Sequence, residues 1–223
     1  MANFEEFLKR GADILGIELQ YDAIQRIKIH RELLLKWAPK VNLTTVLDPK
    51  SMAERLYLDS GILLPKISSR KTLHDVGTGA GFPGLVLKAL NPKLDVTLTE
   101  ARRKRVSFLK TVARQMGLHD GLTIRWSRLG WEKGEEKVKN KFWDEVVSRA
   151  TFPPDLWIEA GKNLLAPGSR LWVMAGQPHA QGDDSLNWKN EADKNHLVLE
   201  SQEVYHLPFC KKTRWLVSFR RSL

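Results

Sequence analysis

The most informative residues of this chain are closely spaced glycines that lie between two acids. Residues 75–84 read D-V-G-T-G-A-G-F-P-G, with a strand-like run before them at 71–74 and a helix-like run after them at 85–90. Glu100 comes 23 residues after Gly77 and closes a second strand-like run. In α/β folds, glycines at such a turn let the backbone approach a ligand, and the later acid accepts hydrogen bonds from ribose hydroxyls. The spacing therefore predicts a nucleoside-binding site.

Two classes of nucleoside fit the glycine pattern. Residues 79–84 form a literal G-x-G-x-x-G, which suits a dinucleotide. Asp75, however, ends the strand two residues before the first glycine, where a carboxylate faces a positive group better than a pyrophosphate. Pro83 falls where the helix begins, whereas a pyrophosphate site needs the first helical N–H groups free. We therefore favour S-adenosylmethionine, a cationic nucleoside, over NAD; a turn without any ligand is the remaining alternative.

Charge and composition indicate the kind of macromolecule that the chain meets. The chain has 223 residues, enough for one large domain or a domain with an appendage, and 42% of them are hydrophobic. Lysine and arginine outnumber aspartate and glutamate by 36 to 26, which gives a net charge of +10. Such a charge predicts a polyanionic partner such as RNA, since cations that neutralise phosphates release counterions. A merely basic protein without such a partner is the alternative.

The same sequence indicates the compartment. No apolar run approaches the roughly 18 residues of a membrane span. The first ten residues carry acids and no apolar core, unlike a signal peptide. The single cysteine, Cys210, excludes an internal disulfide, and none of the six histidines has metal-ligand spacing with another. We expect a cytoplasmic monomer without metal or membrane association.

Hydrophobic periodicity divides the chain into two segments. Residues 1–65 predict a helical region: Phe4, Phe7, Leu8 and Ile14 share one face, a second helix stops at Pro39, and a third runs from about 49 to 64. Residues 66–223 alternate between strand-like and helix-like runs, which predicts a doubly wound, mostly parallel sheet of the Rossmann-like type. Its last two strands lack an intervening helix and should form an antiparallel hairpin. The predicted strands are 71–76, 94–100, 122–126, 143–148, 169–174, 196–207 and 213–220; the predicted helices are 84–91, 102–117 and 154–165.

Six segments of the chain resemble the RsmG (GidB) family of small-subunit rRNA guanine-N7 methyltransferases. Residues 75–84 match the family pattern D-V-G-T/S-G-x-G-x-P-G, which is the most specific of the six. The other matching segments are W-x-x-x-x-N-L-T at 37–44, R-H-x-L-D-S at 55–60, K-R-x-x-F-L at 104–109, S-R at 127–128 and S-R-A at 148–150. The sequence departs from the family at Leu56, where a histidine is usual, at Gly130, where an acid is usual, and at Ala175, where a lysine is usual.

The resemblance implies a seven-stranded methyltransferase fold and transfer of a methyl group from S-adenosylmethionine to N7 of a guanine in 16S rRNA. It implies cofactor contacts at Gly77, Phe82, Leu129, Gly130 and Arg149, with Glu100 on the ribose. Asp75, Thr78 and Gly79 complete the predicted cofactor-binding set. An ordinary ion pair is the alternative role for Arg149. The implied partner is the small ribosomal subunit, or an assembly intermediate of it.

Guanine N7 carries a lone pair and no proton, so methyl transfer to it needs alignment and no general base. We therefore assign no catalytic residue. Cys210 lies far in sequence from the ligand loops, which disfavours thiolate attack on a pyrimidine. Residues 151–155 read T-F-P-P-D and lack the Asp/Asn-Pro-Pro-aromatic order typical of exocyclic-amine methyltransferases, so we interpret the prolines as a helix start.

Two alternatives of another functional class remain. A short-chain oxidoreductase should carry Tyr-x-x-x-Lys, yet none of the three tyrosines has a lysine four positions later. A non-catalytic RNA-binding module with a vestigial cofactor site is the other alternative, and the intact glycines and acids argue against it.

Basic residues cluster at two places and predict contacts with RNA phosphate. Arg102, Arg103, Lys110 and Arg114 lie along one predicted helix, although cations are unfavourable at its N-terminal end. A second group belongs to the predicted terminal hairpin, and we include Lys211, Lys212 and Arg214 in the RNA-binding set. A solvated face is the alternative for the first group.

Overall fold

The structure is a computed structural model, which describes residues 3–67, 71–128, 142–176 and 187–222. The N-terminal segment is helical, as predicted. Its helices are α1 (Phe4–Leu15), α2 (Tyr21–Val41), α3 (Pro49–Met52), which continues through a π-helical stretch (Ala53–Leu58), and α4 (Asp59–Gly61). Asn3 and Glu6 form a reciprocal capping box that begins α1.

Three details of this segment differ from the sequence prediction. Helix α2 does not stop at Pro39 but ends two residues later at Val41, where Asn42 supplies the left-handed cap, with φ 51°. The predicted third helix is a composite of α and π geometry instead of one regular helix. Ile14 was expected on the buried face of α1, yet it is 59% exposed, because the buried residues Phe4, Leu8 and Ala12 mark a different side of the helix.

In the described part of the chain, a seven-stranded sheet follows in the order β3-β2-β1-β4-β5-β7-β6. Strands β1 to β5 pair in parallel, whereas β7 is antiparallel to both β5 and β6. The strands are β1 (Thr72–Val76), β2 (Asp95–Glu100), β3 (Leu122–Trp126), β4 (Trp143–Arg149), β5 (Leu165–Gly176), β6 (Leu197–His206) and β7 (Thr213–Arg221). The predicted doubly wound sheet with a terminal antiparallel hairpin is confirmed.

The connecting helices are α5 (Gly84–Leu90), α6 (Arg103–Gln115), α7 (Pro154–Gly161) and α8 (Trp188–Lys194). Helix α7 begins at the proline pair, with Pro153 at the N-cap and Pro154 at the first helical position, as predicted. Helix α8 was not predicted, because its seven mostly polar residues carry a weak periodic signal.

Both faces of the sheet are covered. Along β5, Trp172 and Met174 belong to one hydrophobic cluster while Leu171 and Val173 belong to another, as the alternation of a strand requires. The first cluster joins α1, α2, α5 and α6 to the sheet, and the second packs α7 and α8 against it. The N-terminal helices therefore share a core with the sheet.

Candidate functional site

The glycine turn between β1 and α5 has little room for side chains. Gly77 and Gly79 have φ of +71° and +60°, values that favour glycine. A Cβ at Gly77 would lie 2.4 Å from Cγ2 of Thr151, a residue that follows β4. The backbone N–H groups of Gly77 and Thr78 both donate to the carbonyl oxygen of Thr99 on β2. The turn is therefore held close to the neighbouring strand ends.

Asp75 lies beneath this turn instead of facing open space. Its Oδ2 accepts hydrogen bonds from Thr78 Oγ1 at 2.6 Å and from the Gly84 N–H at 2.7 Å. Its Oδ1 is buried and has no hydrogen-bond partner among the described residues. Burial raises the pKa of the Asp75 carboxyl to about 6, against the lowering effect of the Thr78 and Gly84 bonds. Asp75 and Thr78 thus fasten the turn to the start of α5.

Glu100, at the end of β2, connects the turn to helix α6. Its Oε2 accepts from the Gly79 N–H at 3.0 Å, and its Oε1 accepts from the Arg102 N–H at 2.8 Å. Arg105 Nη1 lies 3.9 Å from Oε2. A carboxylate offers about four acceptor positions, so two N–H donors leave capacity for hydroxyl groups.

Glu100 and Gly77 line a cavity of about 490 Å³ at the carboxyl ends of β1, β2 and β4. In open α/β sheets, ligands bind at this end of the strands, and pockets of about 300–1,000 Å³ are usual for small molecules. The other lining residues are Val76, Thr99, Ala101, Arg102, Arg105, Ser127, Arg128, Ala150, Thr151 and Phe152. The structure thus brings the first glycine, the β2 acid and the Ser127–Arg128 segment to the same cavity.

Phe82 and Arg149 are not among the residues that line the cavity, and both contact the helical region. The Phe82 ring packs edge-on against His30 and Tyr57, and the guanidinium carbon of Arg149 lies 5.1 Å from its centroid. Arg149 Nη1 contacts Asp59 Oδ2 at 3.0 Å. Arg149 therefore makes the ion pair that was the alternative to a cofactor role.

Asp59, which the sequence analysis did not assign to the site, gathers several polar groups. Its Oδ1 accepts from the Tyr205 hydroxyl at 2.8 Å and lies 3.5 Å from Arg214 Nε, while Oδ2 holds Arg149. Burial, together with the Asp59 carboxylate, raises the pKa of Tyr205, so its hydroxyl stays a donor. An acid in an otherwise apolar helical run, as in L-Y-L-D-S, was the signal that could have identified it.

His30 on α2 was also missed. Its Nε2 lies 2.8 Å from the carbonyl oxygen of Ala80, within the glycine turn, and its Nδ1 lies 2.8 Å from the Tyr57 hydroxyl. Because the carbonyl can only accept, Nε2 carries the proton in this contact. Burial lowers the pKa of His30 to about 4, so the imidazole is neutral at neutral pH.

The predicted RNA-binding residues fall into two separate groups. Arg102 and Arg103 are at the start of α6 beside the cavity, and Lys110 and Arg114 continue along α6 around a hollow of about 340 Å³ next to β3. The second group comprises Lys211 and Lys212, which are exposed in the β6–β7 turn, and Arg214, which is partly buried beside Asp59. Strands β3 and β6 are opposite edges of the sheet, so the structure does not bring the two groups together.

The remaining sequence-based expectations concern Leu129, Gly130, Leu56, metal sites and membrane spans. Leu129 and Gly130 lie outside the described residues. Leu56, one of the departures from the family pattern, is a core residue with 8% exposure. Among the residues that the structure describes, no group of histidine, cysteine and acid side chains could hold a metal ion, and no helix is long and apolar enough to cross a membrane.

A family model described as rRNA small subunit methyltransferase G (GidB) matches residues 23–217. The chain belongs to this family. A ribosomal RNA small subunit methyltransferase G from Anaeromyxobacter sp. (strain Fw109-5) is 38% identical over 217 residues, which are 97% of each chain. The protein of the same name from Myxococcus xanthus (strain DK1622) is 32% identical over 221 residues, 99% of each chain. The resemblance identified from the six segments is confirmed.

Solved structures of methyltransferases share the fold. Magnesium protoporphyrin IX methyltransferase from Synechocystis PCC 6803, solved with bound SAM, has a TM-score of 0.62 at 12% identity, and the match covers 86% of this chain and 97% of that protein. The 1,6-didemethyltoxoflavin-N1-methyltransferase of Burkholderia thailandensis has a TM-score of 0.59 at 12% identity, with 89% and 90% covered. At such identities the likeness concerns the fold, and it confirms the Rossmann-like methyltransferase architecture.

Proposed function

We propose that this chain methylates N7 of a guanine in 16S rRNA, with S-adenosylmethionine as the methyl donor. Membership of the GidB family supports the substrate class. The observation that carries the proposal in the structure is the Glu100 carboxylate. It lies at a nucleoside-sized cavity beside the glycine turn, with acceptor capacity left after its two backbone bonds. The two hydroxyl groups of a ribose can donate to the remaining acceptor positions of this carboxylate.

The cavity residues suit this cofactor. Glu100 accepts from the ribose hydroxyls, and Gly77 and Gly79 allow the backbone to come close to the ligand. The ionised Asp75 carboxylate lies one layer below the turn and contributes negative potential beneath a cationic ligand. When bound, S-adenosylmethionine supplies an electrophilic methyl group on a positively charged sulfur. Arg149 packs over the ring of Phe82 at the end of the turn, and we propose that Leu129 and Gly130 complete the site near the adenine.

The residues around the cavity agree with an acceptor that needs no deprotonation. The described lining contains neither histidine nor cysteine, and its acid, Glu100, is the group that we assign to the ribose hydroxyls. Guanine N7 presents a lone pair and has no proton to lose. The protein then has to orient the acceptor, and orientation alone can lower a barrier by about 7–11 kcal/mol in favourable systems.

The basic residues of α6 and of the terminal hairpin provide phosphate contacts on either side of the site. Arg102, Arg103, Lys211 and Lys212 are exposed side chains, and Arg103 lies over the ring of Trp126. Exposed cations of this kind steer and position RNA without reading its sequence. The net charge of +10 favours binding to a ribosomal particle or its precursor. We further propose that the chain works as a monomer in the cytoplasm.

Two measurements test the proposed function. Calorimetric titration should show binding of S-adenosylmethionine and no binding of NADH. Purified protein with radiolabelled S-adenosylmethionine should then label small ribosomal subunits from a strain that lacks the enzyme, and mass spectrometry of the digested RNA should find 7-methylguanosine. Binding of NADH alone would support the oxidoreductase alternative. A labelled base other than 7-methylguanosine would refute the N7 assignment while leaving the methyltransferase assignment in place.

A further inference from the structure

Trp126, the last residue of β3, is a tryptophan held in place yet largely exposed. Its side chain is 43% exposed, whereas the other described tryptophans are buried or partly buried. Its indole Nε1 donates to the carbonyl oxygen of Ala101 at 2.9 Å. A ring anchored at its polar edge loses little conformational entropy when a second planar group stacks on it.

Arg103 covers one face of this ring. Its guanidinium carbon lies 4.2 Å from the centroid of Trp126, within the range of a cation–π contact. Arg103 is the first residue of α6, a position where the helix dipole disfavours a cation, and the stack offsets that cost. Trp126 is 43% exposed despite this contact, so part of its surface is accessible to a planar ligand beside the positive charge of Arg103.

The ring stands at the rim of the cofactor cavity and not inside it. Trp126 lies opposite Glu100 in the β2–β3 register, and the next two residues, Ser127 and Arg128, line the cavity while Trp126 does not. Arg102, the N-cap residue of α6, lines the cavity as well. The exposed indole therefore lies next to the cavity, where a large substrate would come close to it when its target base enters the site.

We propose that Trp126 and Arg103 form a stacking platform for a nucleobase of the RNA strand that carries the target guanine. This inference rests on the proposed function. Unpaired RNA bases stack on fixed aromatic side chains, and nearby arginines hold the adjoining phosphates. The adenine of the cofactor is disfavoured as the occupant, because Trp126 lies outside the lining of the cavity that Glu100 marks as the ribose site.

The test compares Trp126→Leu and Trp126→Phe with the wild-type protein. Dissociation constants for 16S rRNA and for small-subunit particles are measured by filter binding, and that for S-adenosylmethionine by calorimetry without RNA. Trp126→Leu should weaken RNA binding by about 5- to 150-fold, the range for loss of one stacked base. Trp126→Phe should recover most of the affinity, and cofactor affinity should be unchanged in both variants. The control is Tyr21→Leu, which removes an exposed aromatic ring from α2 and should leave RNA affinity unchanged.

Salt dependence separates stacking from charge. Stacking releases no counterions, so Trp126→Leu should lower RNA affinity equally at all salt concentrations. Arg103→Gln should in addition flatten the slope of log affinity against log salt by about 0.7, the value for one phosphate contact on a single strand. Arg10→Gln removes the charge of an exposed arginine of α1 and is the matched control, which should leave the slope unchanged.

Three results would overturn the inference. Unchanged RNA affinity in Trp126→Leu would show that the ring only packs against its neighbours. The proposed function would still stand in that case if 7-methylguanosine forms. Weakened S-adenosylmethionine binding without RNA would assign the ring to the adenine. An RNA affinity that Trp126→Phe fails to recover, with native circular dichroism and melting temperature, would exclude stacking. Because RNA binding is measured without turnover, a wild-type protein that makes no 7-methylguanosine would refute the proposed function separately.

Discussion

At Gly77, the addition of a single Cβ atom would disturb the predicted site. Its backbone is left-handed, and a Cβ at this residue would lie only 2.4 Å from Thr151 Cγ2, so the position is restricted to glycine. Thr151 also donates from Oγ1 to the Gly77 carbonyl at 2.9 Å and lines the cavity. A side chain at residue 77 therefore has to displace Thr151, which lines the space that we assign to the cofactor.

Gly77→Ala should lower the free energy of unfolding by about 2 kcal/mol, because left-handed strain and the clash with Thr151 add together. It should also weaken S-adenosylmethionine binding by at least about tenfold, equivalent to about 1.4 kcal/mol. Urea unfolding and calorimetric titration measure the two effects.

The matched control for this variant is Gly117→Ala. Gly117 has a similar φ of +67°, but a Cβ there has no atom within 4 Å. The control should lose about 1 kcal/mol of stability through strain and bind S-adenosylmethionine normally. Equal cofactor affinity in the two variants would contradict the placement of the ligand at Gly77.

At this scale, sequence identifies a residue when its role depends on near neighbours. The structure places Glu100 beside the glycine turn, since a strand-turn-helix-strand unit sets its distance from Gly77, and its ribose role stays a prediction. The partner of Arg149 could not be predicted, because Asp59 is 90 residues away in the chain and meets it only after the sheet has formed. The same reason hid the contact between His30 and Ala80.

At the scale of elements, α2 is the helix that reaches the glycine turn. His30 in this helix donates to Ala80 and contacts Tyr57, while its ring packs edge-on against Phe82. The imidazole is buried and neutral, so protonation would force a charge into an apolar contact. The contact between α2 and the turn should therefore weaken in acid.

The pH dependence of His30 has a definite sign. Its pKa of about 4 in the folded state lies below the 6.5 of an ordinary histidine, so the unfolded chain binds the proton first as the pH falls. Stability contributed by the neutral ring is present above about pH 6.5 and is lost progressively down to about pH 4, by up to about 3 kcal/mol. The stability difference between wild type and His30→Gln should narrow over this interval.

Urea titrations of both proteins at about pH 7, 6, 5 and 4 measure that difference. The raised pKa of Asp75 acts in the same interval with the opposite sign, since its stabilising effect is lost as the pH rises toward about 6. Asp75 is present in both proteins, so its effect cancels in the comparison. A constant difference between the two proteins across the whole interval would mean that His30 titrates normally.

Element boundaries followed from the sequence wherever burial produces a periodic pattern. The seven strands were all predicted, and β3 was predicted residue for residue, because apolar runs bounded by polar turns identify strands. The π-helical stretch Ala53–Leu58 was not predicted. It makes contacts with the hairpin that the local sequence pattern does not reveal. Glu54, within that stretch, accepts the N–H groups of Phe209 and Cys210, two residues that local patterns cannot relate to it.

At the scale of the whole molecule, the helical region and the sheet share one hydrophobic core. Leu34 on α2 and Leu85 on α5 are fully buried in the same cluster, which also includes Leu216 on β7. The predicted division into segments 1–65 and 66–223 stays a prediction about architecture. The common core predicts that both segments unfold together, because separating them would expose the apolar residues of the first cluster on both sides.

Calorimetry should accordingly show one unfolding transition for the whole chain. Leu34→Ala should lower the free energy of unfolding by about 2–5 kcal/mol through the cavity it leaves, and should shift the whole transition without dividing it. Leu47→Ala, at a leucine with 47% exposure, is the control and should change stability little. Two resolved transitions in either variant would show that the segments fold independently.

The hydrogen bond between His30 and Ala80 has a practical meaning for anyone who builds hybrids of these enzymes. A chimaera that took its first sixty-odd residues from a distant relative would need to import a donor for that carbonyl, together with rings that match Tyr57 and Phe82. Without them, the loop between β1 and α5 would lose the contacts that hold it against the helical region, although none of its own residues had changed.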